Sequence, residues 1–404
     1  MKFRLILTTV CLTAALSGCF EKKTDETAPL PEQPSKVLDY LALSAHSLVD
    51  LQQPDGFFKY EYDFITGAFT PWDNVIHQTR TGFALMSYYS FLVNAGISPQ
   101  NADTVLHSVR NALTGYQSAS IRHNSMPGML ISFYYNKSGT GKNGAQDKTQ
   151  RLEAEIAATA FALSAETLYR SATNSDEFRT IRSEWRSALI YHAKQALQMP
   201  LTKRPFMAPL WLALGLYHRA DPNDTEIESV LTATDDYFTK APRPITKAES
   251  YVWDMMSIRT HTPADFTPIT YTVRQTMQIL DDLYAQHDPN ANGCLLSLGL
   301  AEASLILNNI ESSDIKRIRQ TALGRGQLEY YNSLKFTILP NQTWISLGPG
   351  RTLHSQDFKR FAGASIFGTH SPRTNIGLTS LCLLAGMRFA NEDLHEMQKL
   401  EKVE

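Results

Sequence analysis

Cysteine is nearly missing from this chain: there are four in 404 residues, and two of those, Cys11 and Cys19, fall in the first twenty positions. The other two, Cys294 and Cys382, are far apart, so they form neither a disulfide framework nor the ligand spacing of a metal site. Both sit in apolar helical stretches, which favours buried thiols over a bridge. No charge of either sign dominates. Thirty-eight Lys and Arg face forty Asp and Glu, for a net −2, and the cations are scattered. A basic stripe for nucleic acid is therefore lacking. The apolar run from Leu5 to Leu16 is too short to be a stable membrane span. There is no Gly-x-Ser-x-Gly elbow, no His-Glu-x-x-His, no Walker loop and no Rossmann glycine run. Gly139-Thr140-Gly141-Lys142-Asn143-Gly144 has the glycines of a phosphate loop but lacks the Lys-Ser/Thr ending and a preceding apolar strand, and reads as a flexible loop tip. No cofactor is expected.

What is present starts at the N-terminus. Lys2 and Arg4 form a positive n-region, Leu5–Leu16 an apolar h-region, and small residues close it, which describes a secretory signal peptide over residues 1–18. Leu16-Ser17-Gly18-Cys19 resembles a bacterial lipobox. That resemblance implies cleavage before Cys19, lipidation of its thiol by fatty acid such as palmitate, and the lipid bilayer as a partner. Phe20 stands where an inner-membrane retention signal would put Asp, which points to the outer membrane. Residues 19–35, with Pro29, Pro31 and Pro34 and almost no apolar periodicity, read as a flexible tether. Residues 36–404 remain for the body. Two domains are the default at that length, but a closed ring of helical hairpins reaches it as one.

A 3.6-residue apolar period predicts about twelve helices and almost no strand. They fall at Lys36–Gln53, His77–Ala95, Asn101–Tyr116, Arg151–Ser171, Ser175–Met199, Pro205–Ala220, Asp224–Lys240, Lys247–Thr260, Pro263–Gln286, Asn292–Asn308, Ser312–Leu334 and Asn375–Asn391. Ser175-Asp176-Glu177 and Ser312-Ser313-Asp314 carry cap chemistry at two starts. Odd-numbered helices are mostly amphipathic, as in Glu177-Arg179-Arg182-Glu184-Arg186. Even-numbered ones are poor in charge and rich in small residues, as in Ala154 to Leu163 and Ala208 to Gly215. A helix apolar nearly all round must be covered on most sides. The alternation predicts an inner ring of helices wrapped by an outer one.

In hairpin number and burial alternation the chain over Lys36–Asn391 resembles the (α/α)6 toroid proteins, which include six-hairpin glycosidases, unsaturated glucuronyl hydrolases, sugar 2-epimerases, some polysaccharide lyases and, more loosely, terpene cyclases. Leu51-Gln52-Gln53-Pro54-Asp55-Gly56-Phe57-Phe58 is similar to the glutamine–glycine–aromatic turn that closes hairpins in several of these families, with Phe58 where terpene cyclases usually have Trp. The resemblance implies an all-α toroid. A short strand pattern near 57–64, with Phe58, Tyr60 and Tyr62 alternating with Lys59, Glu61 and Asp63, suggests a β-hairpin-like excursion from it. A superhelical stack of helical repeats is the competing architecture.

In such a toroid the inner helices run parallel and open their N-termini at one mouth. Three long loops enter inner helices there: Pro54–Ile76, Gln117–Gln150 and Lys335–Thr374. Loops of that length are uncommon unless functional or disordered. The first carries Tyr60, Tyr62, Asp63, Trp72 and Asp73, with His77 and Arg80 at the next helix start. Glu153 and Glu155 open the fourth helix, where acids also serve as dipole partners. Asp254 lies in the eighth helix beside Tyr251 and Trp253. His370 and Arg373 close the last loop, with Thr374 as cap. Aromatics beside carboxylates suit sugars, because flat rings cover pyranose C–H faces while acids accept hydroxyl protons; the same aromatics also brace loops.

Two functions are therefore expected. One is a glycan-processing enzyme. Hydrolysis would draw an acid and a base or nucleophile from Asp63, Asp73, Glu153, Glu155 and Asp254. Lyase or epimerase chemistry would use Tyr or His beside Arg. The catalytic candidates are Asp73, Asp254, Asp63 and His77, and the substrate-binding ones Tyr60, Tyr62, Trp72, Arg80, Glu155, Tyr251, His370 and Arg373. The other function is a non-catalytic toroid that binds a glycan or a partner protein.

The lipobox-like segment generates a direct expectation: Cys19→Ala moves the protein from the membrane pellet to the soluble fraction. A wild-type protein already soluble, with no acyl mass on its N-terminal peptide, refutes lipidation.

Overall fold

The computed structural model describes residues 36–97, 102–122, 129–131, 148–199, 208–240, 252–253, 256–257, 276–277, 280–281, 284–285, 288, 290–310 and 312–390. Its helices are α1 (Val37–Asp50), α2 (Val75–Asn94), α3 (Ala102–Ser118), α4 (Lys148–Thr173), α5 (Arg179–Gln198), α6 (Ala208–Ala220), α7 (Thr225–Lys240), α8 (Cys294–Ile306), α9 (Ser313–Leu334) and α10 (Ile376–Gly386). The expected helices Lys247–Thr260 and Pro263–Gln286 lie largely outside the described residues.

The body is an α/α toroid in which even helices form the inner layer. α8 packs on α10, α10 on α2, α2 on α4 and α4 on α6, while α1, α3, α5, α7 and α9 lie against them from outside. Composition explains which helix goes where. Every residue of α10 from Ile376 to Gly386 is buried, as is every residue of α4 from Ala154 to Thr167. Small side chains let these helices approach. A methyl on Gly386 would sit 2.3 Å from the Tyr330 hydroxyl of α9, and one on Gly82 would sit 2.9 Å from that of Tyr116. Each large apolar side chain removed from water contributes about 1.5–3 kcal/mol. One connected core runs from Val37 to Ala390.

The strands among the described residues are short, in keeping with an all-α body, and they extend beyond the one hairpin expected: β1 (Glu61–Asp63), β2 (Ala68–Phe69), β3 (Ser120–Arg122), β4 (Met129–Ile131), β5 (Trp344–Ser346), β6 (Thr352–His354), β7 (Ile366–Gly368) and β8 (Ser371–Asn375). The hairpin expected near 57–64 begins at Glu61 and returns through Ala68. β1 also pairs with β8, Tyr62 opposite Thr374, in a four-stranded antiparallel sheet ordered β2-β1-β8-β7. The third long loop is thus structured, with its own apolar nucleus of Tyr62, Phe64, Phe336, Ile338, Ile345, Phe358, Phe361 and Ile366. Two-residue hydrophobic runs separated by Gly, Pro and Ser conceal strands of three residues from a periodicity argument.

Cys294 and Cys382 are joined in a disulfide with Cα atoms 4.9 Å apart, which overturns the reading of two buried thiols. Eighty-eight residues separate them, but α8 and α10 are inner neighbours, a proximity that sequence spacing does not reveal. Cap chemistry also differs from expectation. α5 begins at Arg179 rather than Ser175; Ser175 instead accepts from the Glu177 amide in a local turn, Asp176 pairs with Arg182 and Glu177 with Arg110.

The α4–α5 hairpin holds a fully buried acid, Glu166, which accepts a hydrogen bond from Arg182 Nη1 at 2.8 Å. The other guanidinium nitrogen donates to Asp176, also at 2.8 Å. Burial outweighs the arginine, and the carboxyl is pushed up to about 7 from 4.5. The folded state thus keeps a proton that the unfolded chain releases near 4.5. The resulting stability is present below that pH and is lost as pH rises through about 7. Urea unfolding at pH 5 and pH 8 should show wild type losing up to about 3 kcal/mol more than Glu166→Gln. Equal losses would mean that Arg182 keeps Glu166 ionised.

Candidate functional site: the mouth at the start of α2

Asn74 caps α2. Its side chain accepts from the amides of Ile76 (3.0 Å) and His77 (3.3 Å), the local interaction that makes an Asn a helix start. The preceding Asp73 is exposed, and its Oδ1 accepts from the Asn74 amide at 2.7 Å and from Gln78 Nε2 at 2.9 Å. Gln78 is fully buried and also binds both backbone groups of Phe58: its Oε1 accepts from Phe58 N at 2.9 Å, and its Nε2 donates to Phe58 O at 2.7 Å. Trp72, next to Asp73, is 57% exposed.

In the first turn of α2, His77 Nδ1 and the Tyr60 hydroxyl share a hydrogen bond of 3.1 Å, whose direction follows the imidazole tautomer. Both rings are half-buried, with centroids 5.6 Å apart. His77 lies against Gly377 at the start of α10, where a methyl would come within 2.3 Å of Nδ1. Beneath it, the buried Arg80 donates to Gly377 O at 3.2 Å, with its guanidinium 5.6 Å from the Trp253 ring. Tyr60, Trp72, Asp73, His77 and Arg80 thus gather where α2 and α10 begin, and first-turn amides there favour negative charge.

The sheet takes up other candidates. Tyr62 is buried among Phe64, Phe69 and Phe361 and donates to Asp357 Oδ2 at 2.6 Å. Burial, then that carboxylate, pushes its phenol up to about 12, so it remains protonated at neutral pH. Asp63 is buried. One oxygen accepts from Ile65 N in the hairpin turn at 2.9 Å, the other from Arg373 Nε across the β1–β8 pair at 3.0 Å. Tyr62, Asp63 and Arg373 therefore brace the sheet, because strand alternation turns Tyr62 inward and hairpin closure needs a carboxylate at Asp63. His370 is exposed at the β7–β8 turn. Thr374 is not the cap of α10: its hydroxyl donates to Ser365 O, and Asn375 accepts from Leu378 N. Because α4 begins at Lys148, Glu153 and the buried Glu155 lie beyond its first turn. Asp254 and Tyr251 lie outside the described residues.

The first and third long loops meet in one sheet, and the approach to α8 joins them through Asn292 N, which donates to Phe367 O at 2.8 Å. The second loop forms its own β3–β4 hairpin in the part described. Sequence reasoning missed Asn74, Gln78, Asp357 and Gly377. Asn74 carries a recognisable cap signature after Asp73. Nothing local marks Gln78, one of five consecutive polar residues from His77 to Thr81.

No family model matches the chain, and no curated protein matches it. Among solved structures, the endoglucanase of the termite Nasutitermes takasagoensis at pH 2.5 is similar over 87% of this chain and 98% of that one, with a TM-score of 0.47 and 11% identity. A likeness of that degree carries neither activity nor residue roles.

The hydrogen bonds separate two neighbouring residues experimentally. Asp73→Asn keeps the accepting oxygen at an exposed position and should change stability by less than about 0.5 kcal/mol. Gln78→Leu leaves the Phe58 backbone and Asp73 without their shared partner and should cost about 2–4 kcal/mol. Chemical denaturation of both variants checks the contrast, and equal losses would contradict it.

Proposed function

We propose that this chain is a lipoprotein of the cell envelope, held at the outer membrane through Cys19, whose toroid mouth binds a glycan and processes it. The observation that carries the reading is the exposed Trp72 beside Asp73, immediately before the Tyr60–His77 pair. An exposed indole offers a face to a pyranose ring, and the adjacent carboxylate accepts hydroxyl protons. The hydrogen bond between the Tyr60 hydroxyl and His77 Nδ1 places a phenol and an imidazole side by side, two groups of the kind that give and take protons in general acid–base catalysis. Arg80 adds a fixed positive charge behind them.

Asp63 is committed to Arg373 and the hairpin turn. That favours proton transfer by Tyr60 and His77, as in lyase or epimerase chemistry, over paired-carboxylate hydrolysis drawing on Asp63. The same commitment also supports a second reading, a non-catalytic toroid that binds a glycan or a partner protein at the envelope.

A panel of envelope and extracellular polysaccharides separates these readings when binding, reducing-end release and formation of unsaturated sugars are measured together. Trp72→Ala should lose binding. His77→Gln should keep binding and lose turnover. Binding by wild type without turnover establishes the non-catalytic reading. Wild-type protein that retains no glycan in the panel overturns both glycan readings.

A further inference from the structure

A concavity lies between the turn that follows α1 and the C-terminal half of α3. The turn Gln53–Phe57 and the last turns of α3 enclose about 450 Å³ lined by Pro54, Asp55, Phe57, Asn111, Thr114, Gly115, Ser118 and Ala119. Its geometry is fixed by backbone contact. Gly56 adopts φ +88°, and a methyl there would fall 2.2 Å from Asn111 O, while one on Gly115 would fall 2.6 Å from Asp55 O. Gln52 fastens the turn by donating to Gly56 O at 3.1 Å and to Ser108 O at 2.8 Å. The walls are therefore a feature of the folded core, and the volume is within the range of small-molecule sites.

We infer that this concavity is an accessory subsite for a neutral hexose unit of the glycan that the mouth takes. The inference rests on the glycan reading above and adds a second place of contact and a charge preference. Pro54 and the half-buried ring of Phe57, braced 5.8 Å from the Tyr116 ring, form an apolar wall. The opposing groups are rich in acceptors. The Thr114 hydroxyl gives its proton to Arg110 O at 3.0 Å, and the Ser118 hydroxyl gives its own to Thr114 O at 2.9 Å. Both oxygens keep lone pairs with which to accept, as does the Asp55 carboxylate, whose Oδ1 also takes the Phe57 amide at 3.1 Å. Asn111 supplies an amide. An apolar wall opposite acceptors and one carboxylate suits a ligand carrying hydroxyl protons and repels a uronate or sulfate.

Position supports a link with the mouth. Phe57 precedes Phe58, whose backbone is held by Gln78, and Gln78 in turn holds Asp73. The buried Gln78 amide thus links the turn that lines the concavity to the proposed sugar platform. A chain of sugars lying across both would gain avidity from the second contact.

The test uses the full-length protein in affinity gels containing one of four neutral polysaccharides: hydroxyethyl cellulose, laminarin, dextran or pullulan. Polygalacturonate serves as the anionic control. Wild type should be retarded by at least one neutral polymer. Thr114→Trp, a substitution at an exposed helical position, fills the concavity and should weaken that retardation by about threefold or more through loss of the second contact, with an unchanged melting temperature. Asn111→Ala should weaken it in the same direction without adding bulk. Trp72→Ala reports on the mouth alone. If Trp72→Ala abolishes retardation while Thr114→Trp and Asn111→Ala leave it intact, the subsite is refuted and the glycan reading stands. Retardation by polygalacturonate alone, reduced by Trp72→Ala, also refutes the subsite and keeps the mouth. Wild-type protein retarded by none of the five polymers overturns both.

Discussion

The side chain of Gln78 is the interaction on which the mouth depends. It is a fully buried amide, and an unpaired polar group there costs a few kcal/mol. It is satisfied by both backbone groups of Phe58 and by Asp73, while its own backbone oxygen accepts from the Tyr116 hydroxyl at 2.6 Å. Three elements are thereby tied at one place: the turn after α1, the start of α2 and the end of α3. The position of Phe58 sets where β1 begins, and β1 sets the sheet that covers the ends of α2 and α10. Asp73 is oriented as a consequence of this closure.

Two apolar nuclei share the work of holding this arrangement. The larger one belongs to the helices and depends on Ala, Ser, Thr and Gly, which let inner helices pack closely. The smaller belongs to the loops and is aromatic, with Tyr62 joined to Asp357 across nearly three hundred positions. A loop with its own core costs less entropy to hold in one conformation than an open strand of the same length. That explains how a forty-residue connection such as Lys335–Thr374 maintains fixed registers. The Cys294–Cys382 bridge joins α8 to α10 directly beneath this cap.

The helices were legible because burial differs so strongly between neighbours. Ala154 to Leu163 and Ile376 to Gly386 announce inner helices, and their predicted ends fall within a few residues of those observed. The hidden features depend on contacts distant in sequence. The disulfide follows from the adjacency of α8 and α10, and β8 forms because β1 is beside it. Tyr62 and Tyr60 look alike in sequence, two aromatics in one alternating run, yet one is sealed under Phe361 and the other meets His77. The cluster of Tyr60, Trp72, Asp73, His77 and Arg80 was legible as a group, since a single loop and helix start carry it. The roles of Asp63 and Arg373 became plain only from their pairing across strands.

The direction of α1 has a mechanical meaning. Leu41, near its beginning, lies against Gly386 at the C-terminal end of α10, while Gln52, just past its end, meets the mouth-side turn. Fourteen residues of helix lie between Lys36 and that turn, about 21 Å of rigid rod. The first turn of α1 therefore lies at the end of the body away from the opening. A pull on Lys36 would therefore be borne first by the α1–α10 packing, and only afterwards by the turn that Gln52 fastens.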